Sequence, residues 1–526
     1  MRADALLPRH RNGIRSVGAV YGASLVSAGA WAAALGYGVS LLGWVAFLPL
    51  WIVWDRVPVA PQSALTHTAG PALLAHIGAY VAAYPWILHH ATAAGVQAGA
   101  SALLLLSLLY SLPLMAGGAL VLQNRAGAGI AVWVGAWMLV DLVVQRGPWA
   151  FPWVLGAHAV VDSPGAYTLV RLGGTVALTA GIGALHAGAF WLYRAFPLTV
   201  ASMRRAVRLW GRPLRGALLL MLLLGGLLAL YGLTMPASTS MPTAPATVWA
   251  VQPNVPPTTW AQADADTRRD RLQTLTETAL DTAATAPNLI VWPETALHPP
   301  DTTGMQALTT RWRTTLLTGA VLSGTASGAV TNAVLLYTPN APVRRYDKHH
   351  LVPFAEAVPG ASWWRALNRF AMEGDRDRVY MPGPGATAWT QAPVPVVPLV
   401  CFESLASPFL AALGSDLTRT RGLITIAQTG WWQRAQPARQ HVQYSRLRAM
   451  ETGRPLLVAS VSGPTTLVAP SGAATPLASY DTEAVVSVQW PDPHPPGLYV
   501  RTAPYTDIAW TAIALLLVRV PARLSS

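Results

Sequence analysis

Long apolar stretches, separated by short arginine-containing breaks, fill the first part of the chain. A helix needs about 20 apolar residues to cross a bilayer, so these stretches predict membrane spans. The predicted spans lie near residues 17–34, 37–54, 70–88, 98–122, 127–145, 168–193 and 213–234, with a further one near 505–520. Only a few residues separate the first two, so a re-entrant piece among the early segments is the alternative.

Between residues 235 and 504 the pattern changes to short apolar runs that alternate with polar stretches of helical spacing. Such alternation predicts an α/β domain. Strands are predicted at 247–252, 289–292, 320–323, 333–337, 396–400, 423–427, 456–460, 465–468 and 484–488, and helices at 264–282, 310–317 and 440–451. The expected organisation is a membrane domain of about seven helices over 1–234, the α/β domain over 235–504, and a C-terminal membrane helix and tail over 505–526.

The composition supports a membrane protein. Hydrophobic residues make up 52% of the chain and charged residues only 11%, whereas soluble domains carry about 25% charged residues. The net charge of +13 would suit a nucleic-acid partner. The arginines flank the apolar segments, however, and no recognition motif accompanies them, so membrane topology and anionic lipid explain the charge better.

The arginines also predict the orientation of the spans. Basic residues 2–15 place the N-terminus in the cytoplasm, and the basic loop over 194–212 belongs there too. Seven spans then put residues 235–504 on the outer side of the membrane. An eighth returns Arg519 and Arg523 to the cytoplasm, so the span count and the charges agree.

Two aromatic loops are candidates for contact with lipid. Residues 147–153 form a Pro-broken aromatic loop that contains Phe151 and Trp153, and Trp431 and Trp432 follow a predicted strand. An interfacial aromatic belt is one interpretation of the first loop. A lid or lipid contact near the α/β domain is the other.

Asp141 lies near the end of a predicted span, where a carboxylate is costly unless it is paired. Arg146, five positions along, is its predicted partner. A structural ion pair is the expected role of the two residues.

The candidate chemistry lies at the ends of three predicted strands. Cys401, the only cysteine in the chain, follows an apolar run; Glu294 follows 289–292, and Lys348 follows 345–347. A thiol attacks a carbonyl only as a thiolate, so it needs a base and a partner for the oxyanion. Glu294 is the candidate base, Cys401 the nucleophile and Lys348 the oxyanion partner, in the order typical of nitrilase chemistry.

A single cysteine excludes an intrachain disulfide and a cysteine-based metal site. The histidine pairs 89–90 and 349–350 have no further ligands at suitable spacing. We therefore expect no metal and no cofactor.

The residues around these positions resemble the apolipoprotein N-acyltransferase family, over nearly the whole chain. The matching stretches are 292–296, 346–356, 400–403 and 446–456, together with the 151–153 loop. The resemblance implies a multi-span α-helical membrane domain plus an α/β nitrilase-type α-β-β-α sandwich, facing the periplasm from a bacterial inner membrane. It implies Glu294, Lys348 and Cys401 as the catalytic triad, with Glu356 and Glu403 supporting the site.

The resemblance also implies the substrates: a phospholipid acyl donor and a diacylglyceryl lipoprotein whose N-terminal amine accepts the chain. This sequence departs from the family pattern at several positions near the site. Ala355 stands where glycine is usual and Phe402 where tyrosine is usual, and 427–432 and 458–463 lack the usual asparagines. The alternatives are a membrane-anchored amidase, a divergent acyltransferase paralogue such as those of conjugal-transfer gene sets, and a non-catalytic membrane protein that keeps the fold.

Overall fold

The computed structural model describes residues 7–57, 59–89, 93–147, 150–195, 245–256, 259–260, 263–298, 300–324, 329–353, 356–357, 379–430 and 434–523. The predicted span at 213–234, most of the basic loop over 194–212, and Trp431 and Trp432 lie outside these residues. The described helices of the N-terminal part are α1 (Leu7–Tyr37), α2 (Ser40–Gly43), α3 (Leu48–Arg56), α4 (Ala64–Ala83), α5 (Ala93–Leu122), α6 (Ala126–Val143) and α7 (Ala166–Ala195).

Several predicted spans correspond to long helices. Within the described ranges, four segments are long and apolar enough to cross a membrane, namely Val17–Tyr37, Gly99–Leu122, Ala126–Val143 and Ala166–Arg194. The chain is therefore a membrane protein. The predicted span at 70–88 falls on α4 and a following 3-10 turn, and the span at 505–520 lies within the C-terminal helix Leu498–Arg523.

The prediction of one continuous helix over 37–54 is wrong. Gly38 adopts a left-handed conformation with φ of +72°, which ends α1, and the chain then forms the short α2 and α3. Gly43 at the end of α2 lies against the 156–160 turn, where an added Cβ would come within 2.9 Å of the Ala159 carbonyl oxygen. This close approach folds the segment back into the helical core.

The α/β domain contains two sheets. The first has the strand order β12-β1-β2-β3-β4-β5, with β6 paired to β4, and the second has the order β11-β10-β9-β8-β7. The strands are β1 (Thr247–Gln252), β2 (Leu289–Val291), β3 (Thr315–Ser323), β4 (Ala329–Tyr337), β5 (Arg344–Asp347), β6 (Val379–Tyr380), β7 (Val396–Val400), β8 (Gly422–Ala427), β9 (Leu456–Ser460), β10 (Thr465–Val468), β11 (Ala474–Ala478) and β12 (Ala484–Gln489). β1, β2 and β3 run parallel, as do β7, β8 and β9.

Alternating strand residues divide the domain into layers. Val248 and Ala250 of β1 face the core between the two sheets, whereas Trp249 and Val251 face a second core. That second core also contains Leu272 of α8 (Ala265–Thr282) and Met305 of α9 (Thr302–Trp312). The remaining helices among the described residues are α10 (Ser407–Ala411), α11 (Ser415–Thr418), α12 (Ala435–Thr452) and α13 (Leu498–Arg523). The predicted α-β-β-α sandwich is confirmed.

The predicted helix at 310–317 is wrong. Arg313 takes a left-handed conformation that ends α9, and β3 begins at Thr315. Leu316 and Leu317 then point to opposite cores, which is the period-2 pattern of a strand buried on both faces. Two adjacent leucines fit the apolar pattern of either a buried helix or a buried strand, so the sequence alone does not distinguish them.

Helix α12 is shared between the α/β domain and the membrane helices. Val442 and Ala449 belong to the core between the sheets, while Tyr444 and Leu447 belong to the core of the membrane part. The helix therefore joins the two parts through side chains on its different faces.

Candidate active site

The three predicted residues follow three strands, as the sequence indicated. Glu294 comes shortly after β2, Lys348 directly after β5, and Cys401 directly after β7. Glu294 and Lys348 come from the first sheet and Cys401 from the second. The site therefore lies where the ends of the two sheets meet.

Cys401 opens a 3-10 turn that spans Cys401–Leu405. Its φ is +49°, in the left-handed region that a residue with a side chain seldom adopts. Its carbonyl oxygen accepts hydrogen bonds from Ser404 Oγ and His441 Nε2, both at 3.0 Å. The left-handed backbone at Cys401 is thus held by two side chains, whose Ser404 Oγ and His441 Nε2 atoms lie 3.1 Å apart.

Glu403 connects the Cys401–Leu405 turn to the strand end that carries Lys348. It is fully buried. Its Oε1 accepts from the Tyr346 hydroxyl at 2.6 Å and from the backbone N–H groups of His349 and His350 at 2.7 and 3.1 Å. Its Oε2 accepts from the Val400 N–H at 2.8 Å. One carboxylate therefore fixes the Tyr346 side chain, the backbone directly after Lys348 and the backbone immediately before Cys401.

Lys348 is 1% exposed and lies between two carboxylates. Its Nζ donates to Glu356 Oε1 at 2.7 Å and lies 3.9 Å from Glu294 Oε1. Glu356 is itself held, because its Oε2 accepts from the Val352 N–H at 2.8 Å. The ammonium is fixed mainly by Glu356, which leaves its contact with Glu294 purely electrostatic.

Two further groups hold Glu294. Asn332 donates to Oε1 at 2.8 Å, and the backbone N–H of Gln428 donates to Oε2 at 2.7 Å. Sequence reasoning missed both. An asparagine inside the apolar strand β4 was a usable signal, because a buried amide in a strand needs a partner. The hydrogen bond from the Gln428 backbone could not be predicted, because nearly every residue type has a backbone N–H.

Gly319 of β3 lies directly beneath Glu294. A Cβ at this position would approach the Pro293 carbonyl oxygen to 2.6 Å and the Glu294 Cα to 2.7 Å. Thr295, the next residue, has a φ of +55°. The backbone of Glu294 is therefore packed tightly onto β3, and only glycine fits below it.

Burial dominates the electrostatics of the site. It raises the pKa of the Cys401 thiol, and the charge of Glu294 raises it further, whereas Lys348 acts in the opposite direction. Burial also raises the pKa of Glu294, opposed by the charge of Lys348. For Lys348, burial alone would lower the pKa, but Glu356 and Glu294 together raise it above its usual value. The arrangement thus holds a protonated thiol, a basic carboxylate and a charged ammonium.

The 151–153 loop, predicted as a lid or lipid contact, lies against the Cys401–Leu405 turn. The Phe402 ring lies 5.6 Å from Phe151 and 6.4 Å from Trp153, measured between ring centroids. Trp153 is only 5% exposed. Its burial argues against a surface lid and favours a fixed wall beside Cys401. Phe151 is partly buried. Contact of its ring with lipid remains a prediction.

The predicted pairing of Asp141 with Arg146 is wrong. Arg146 pairs with Asp507 of α13. Asp141 is fully buried and accepts from the hydroxyls of Tyr110 at 2.7 Å and Thr179 at 2.5 Å. Both partners come from neighbouring helices, α5 and α7, which a prediction from residues close in sequence does not reach.

Much of the chain is similar to known proteins. Residues 247–491 match the carbon-nitrogen hydrolase family. An apolipoprotein N-acyltransferase of Ralstonia nicotianae is 30% identical over 66% of this chain, and one of Brucella suis is 31% identical over 48%. The matches cover 64% and 49% of those relatives, less than two thirds of either. A solved CN-hydrolase superfamily protein, XC1258 from Xanthomonas campestris, is 18% identical and covers 54% of this chain and 98% of its own, with a TM-score of 0.36.

The α/β part of this membrane protein thus matches the carbon-nitrogen hydrolase family over residues 247–491. Within that class the chain is similar to the apolipoprotein N-acyltransferases, which confirms the resemblance predicted from its motifs.

Proposed function

We propose that the protein transfers a fatty-acyl chain from a phospholipid, through a thioester on Cys401, to the N-terminal amine of a diacylglyceryl-cysteine lipoprotein. The observation that carries the proposal is the position of the only thiol. Cys401 lies on a left-handed turn beside a buried carboxylate and a buried ammonium, in a chain with membrane-spanning helices. The chain's similarity to apolipoprotein N-acyltransferases supports acyl transfer to a lipoprotein.

In the first step, Glu294 takes the proton of the Cys401 thiol as the sulfur attacks the ester carbonyl. The raised pKa of the thiol means that attack and proton transfer occur together, and the raised pKa of Glu294 suits it to the task. When Glu294 becomes neutral, Lys348 loses one of its counter-ions. Its ammonium is then available to stabilise the oxyanion.

Collapse of the tetrahedral intermediate breaks the ester C–O bond. The lysophospholipid alkoxide leaves with the proton that Glu294 took from the thiol, and the acyl group stays on sulfur. In the second step the lipoprotein amine attacks the thioester, the C–N bond forms and the C–S bond breaks. Glu294 accepts a proton from the amine and returns it to the Cys401 thiolate.

We further propose that the domains are 1–234, 235–504 and 505–526, with the α/β domain on the periplasmic side of the inner membrane. The aromatic wall of Phe151 and Trp153 supports this arrangement, because it brings the nucleophile turn into contact with the membrane part. Both substrates are lipids held in a bilayer, so a site beside the membrane lets either react without leaving it.

The test is mass spectrometry of the purified protein after incubation with a phospholipid and no acceptor. We expect a fatty-acyl mass on the Cys401 peptide that hydroxylamine releases and that a diacylglyceryl-cysteine peptide clears. The Cys401→Ser variant should form no stable product at a useful rate, since a glutamate is too weak a base for an alcohol. Transfer to water in place of the amine would indicate the amidase alternative, and an unmodified Cys401 would refute the proposal.

A further inference from the structure

The left-handed backbone of Cys401 is maintained by a residue that the proposed mechanism does not use. His441 Nε2 donates to the Cys401 carbonyl oxygen at 3.0 Å and lies 3.1 Å from Ser404 Oγ. A carbonyl oxygen is only an acceptor, so Nε2 carries the hydrogen. His441 is 1% exposed.

His441 belongs to α12, which is fixed to the membrane part by neighbouring side chains. The Tyr444 hydroxyl donates to the Leu35 carbonyl oxygen at 3.0 Å. Gln440 donates to the Ala83 carbonyl oxygen at 2.9 Å and accepts from Trp86 Nε1 at 2.7 Å. These bonds lie one residue before and three residues after His441. The imidazole therefore has a fixed position relative to the membrane helices.

Trp153 completes the connection from the membrane side. Its ring lies 6.2 Å from His441 at an interplanar angle of 26°, and it stacks on Phe402 at 6°. Its carbonyl oxygen accepts from His158 Nδ1 at 2.9 Å, and the His158 ring stacks on Tyr444 with 3.8 Å between centroids. Trp153 thus contacts both Phe402, which directly follows Cys401, and His441, which binds the Cys401 carbonyl oxygen.

We infer that His441 and Trp153 are positioning residues that hold Cys401 in its left-handed conformation, which makes the membrane part a component of the nucleophile geometry. The inference rests on the proposed role of Cys401 as nucleophile and is independent of which lipids react. It gives the membrane part a second role besides anchoring. The α/β domain completes its nucleophile turn only when docked on α1, α4 and the loop after α6.

The test uses the full-length protein in detergent. Alkylation by iodoacetamide reports Cys401 alone, because the chain has one cysteine. A loosened turn lets the thiol move out of its buried position, so its raised pKa returns toward the ordinary value. In His441→Phe and Trp153→Leu we therefore expect alkylation to begin at lower pH. Single-turnover acylation should become about five- to tenfold slower, with little change in KM.

Matched variants separate positioning from general damage. His441→Gln keeps a donor near the Nε2 position and should restore both readouts to within about twofold. Trp54→Leu removes a fully buried tryptophan from the membrane core, away from the turn, and should lower Tm without moving either readout. The inference is overturned if the folded His441→Phe and Trp153→Leu proteins match wild type, or if Trp54→Leu has the same effect. If wild type forms no acyl-enzyme, the proposed function fails and the alkylation profiles alone decide the inference.

Discussion

Lys348 and Glu294 face each other across 3.9 Å, from Nζ to Oε1, with a charge contact but no hydrogen bond between them. The short hydrogen bond of the ammonium goes to Glu356 instead. A base that must accept a proton gains from this separation, because a lysine bound directly to Glu294 would hold it in the charged, less basic form. In the proposed mechanism, Glu356 therefore keeps Glu294 basic by accepting the short hydrogen bond of the Lys348 ammonium.

The first prediction concerns that tuning. Glu356→Gln removes a counter-ion of Lys348 while keeping the shape of the side chain, so the ammonium should turn toward Glu294 and weaken it as a base. We expect kcat of acyl transfer to fall about tenfold or more, with KM nearly unchanged. Steady-state kinetics with one phospholipid donor measure both. A change confined to KM would contradict this account of Glu356.

The second prediction is that one variant loses acyl transfer but is alkylated more readily at Cys401. Glu294→Gln removes the base, so acyl transfer should fall by a factor of about 100 or more. The same change removes a negative charge that raises the pKa of the Cys401 thiol, so the thiolate becomes easier to form. Alkylation by iodoacetamide should therefore begin at lower pH than in wild type.

Lys348→Met provides the control for that experiment. It removes the positive charge that opposes the raised pKa of Cys401, so alkylation should begin at higher pH while transfer is also lost. If both variants shift the alkylation profile in the same direction, the charges are not acting on the thiol as described.

The positions of Glu294 and Cys401 were predictable, because apolar runs lead to both residues. Lys348 follows the largely polar strand β5 (Arg344–Asp347), so its position depended on the matching motif over 346–356. Their supports were less predictable. His441 looks like any polar residue of a helix until the turn of Cys401 lies against it, and the N–H of Gln428 carries no sequence information. Long-range packing decides both, just as it decides the broken helix at 37–54.

The third prediction concerns the floor beneath Glu294. Gly319→Ala places a methyl group within 2.6–2.7 Å of the backbone at Pro293 and Glu294, so the carboxylate must shift. A displacement near 1 Å at a reacting group costs about 100-fold in rate. We expect kcat to fall by about that factor while the protein stays folded by circular dichroism.

Gly422→Ala is the matched variant for this experiment. Its methyl group would meet Trp490 at 2.2 Å, at the end of β8 away from the site. Gly422→Ala should lower Tm about as much as Gly319→Ala does. It should leave kcat within about twofold of wild type. Equal losses of kcat in the two variants would show that strain anywhere in the sheets, and not the position of Glu294, limits the rate.

The fourth prediction is one of stability. Glu403→Gln replaces an oxygen that accepts hydrogen bonds with an NH₂ group that must face a backbone or hydroxyl donor. Loss of a buried hydrogen bond to a charged group costs about 1.5–3 kcal/mol. Thermal unfolding should show a lower Tm. Glu483→Gln, which breaks only the exposed pair with Arg271, should change stability by no more than about 1 kcal/mol.

Arg171 of α7 shows what the shared helix means for the making of the protein. Its guanidinium donates to the Met450 carbonyl oxygen at 3.1 Å and to the Pro495 carbonyl oxygen at 2.7 Å, so a membrane helix caps the last turn of α12. α7 leaves the ribosome some 280 residues before that turn. The inserted helices are therefore a template that is already present when α12 is synthesised, and the last layer of the sandwich forms on a surface that the first half of the chain has built.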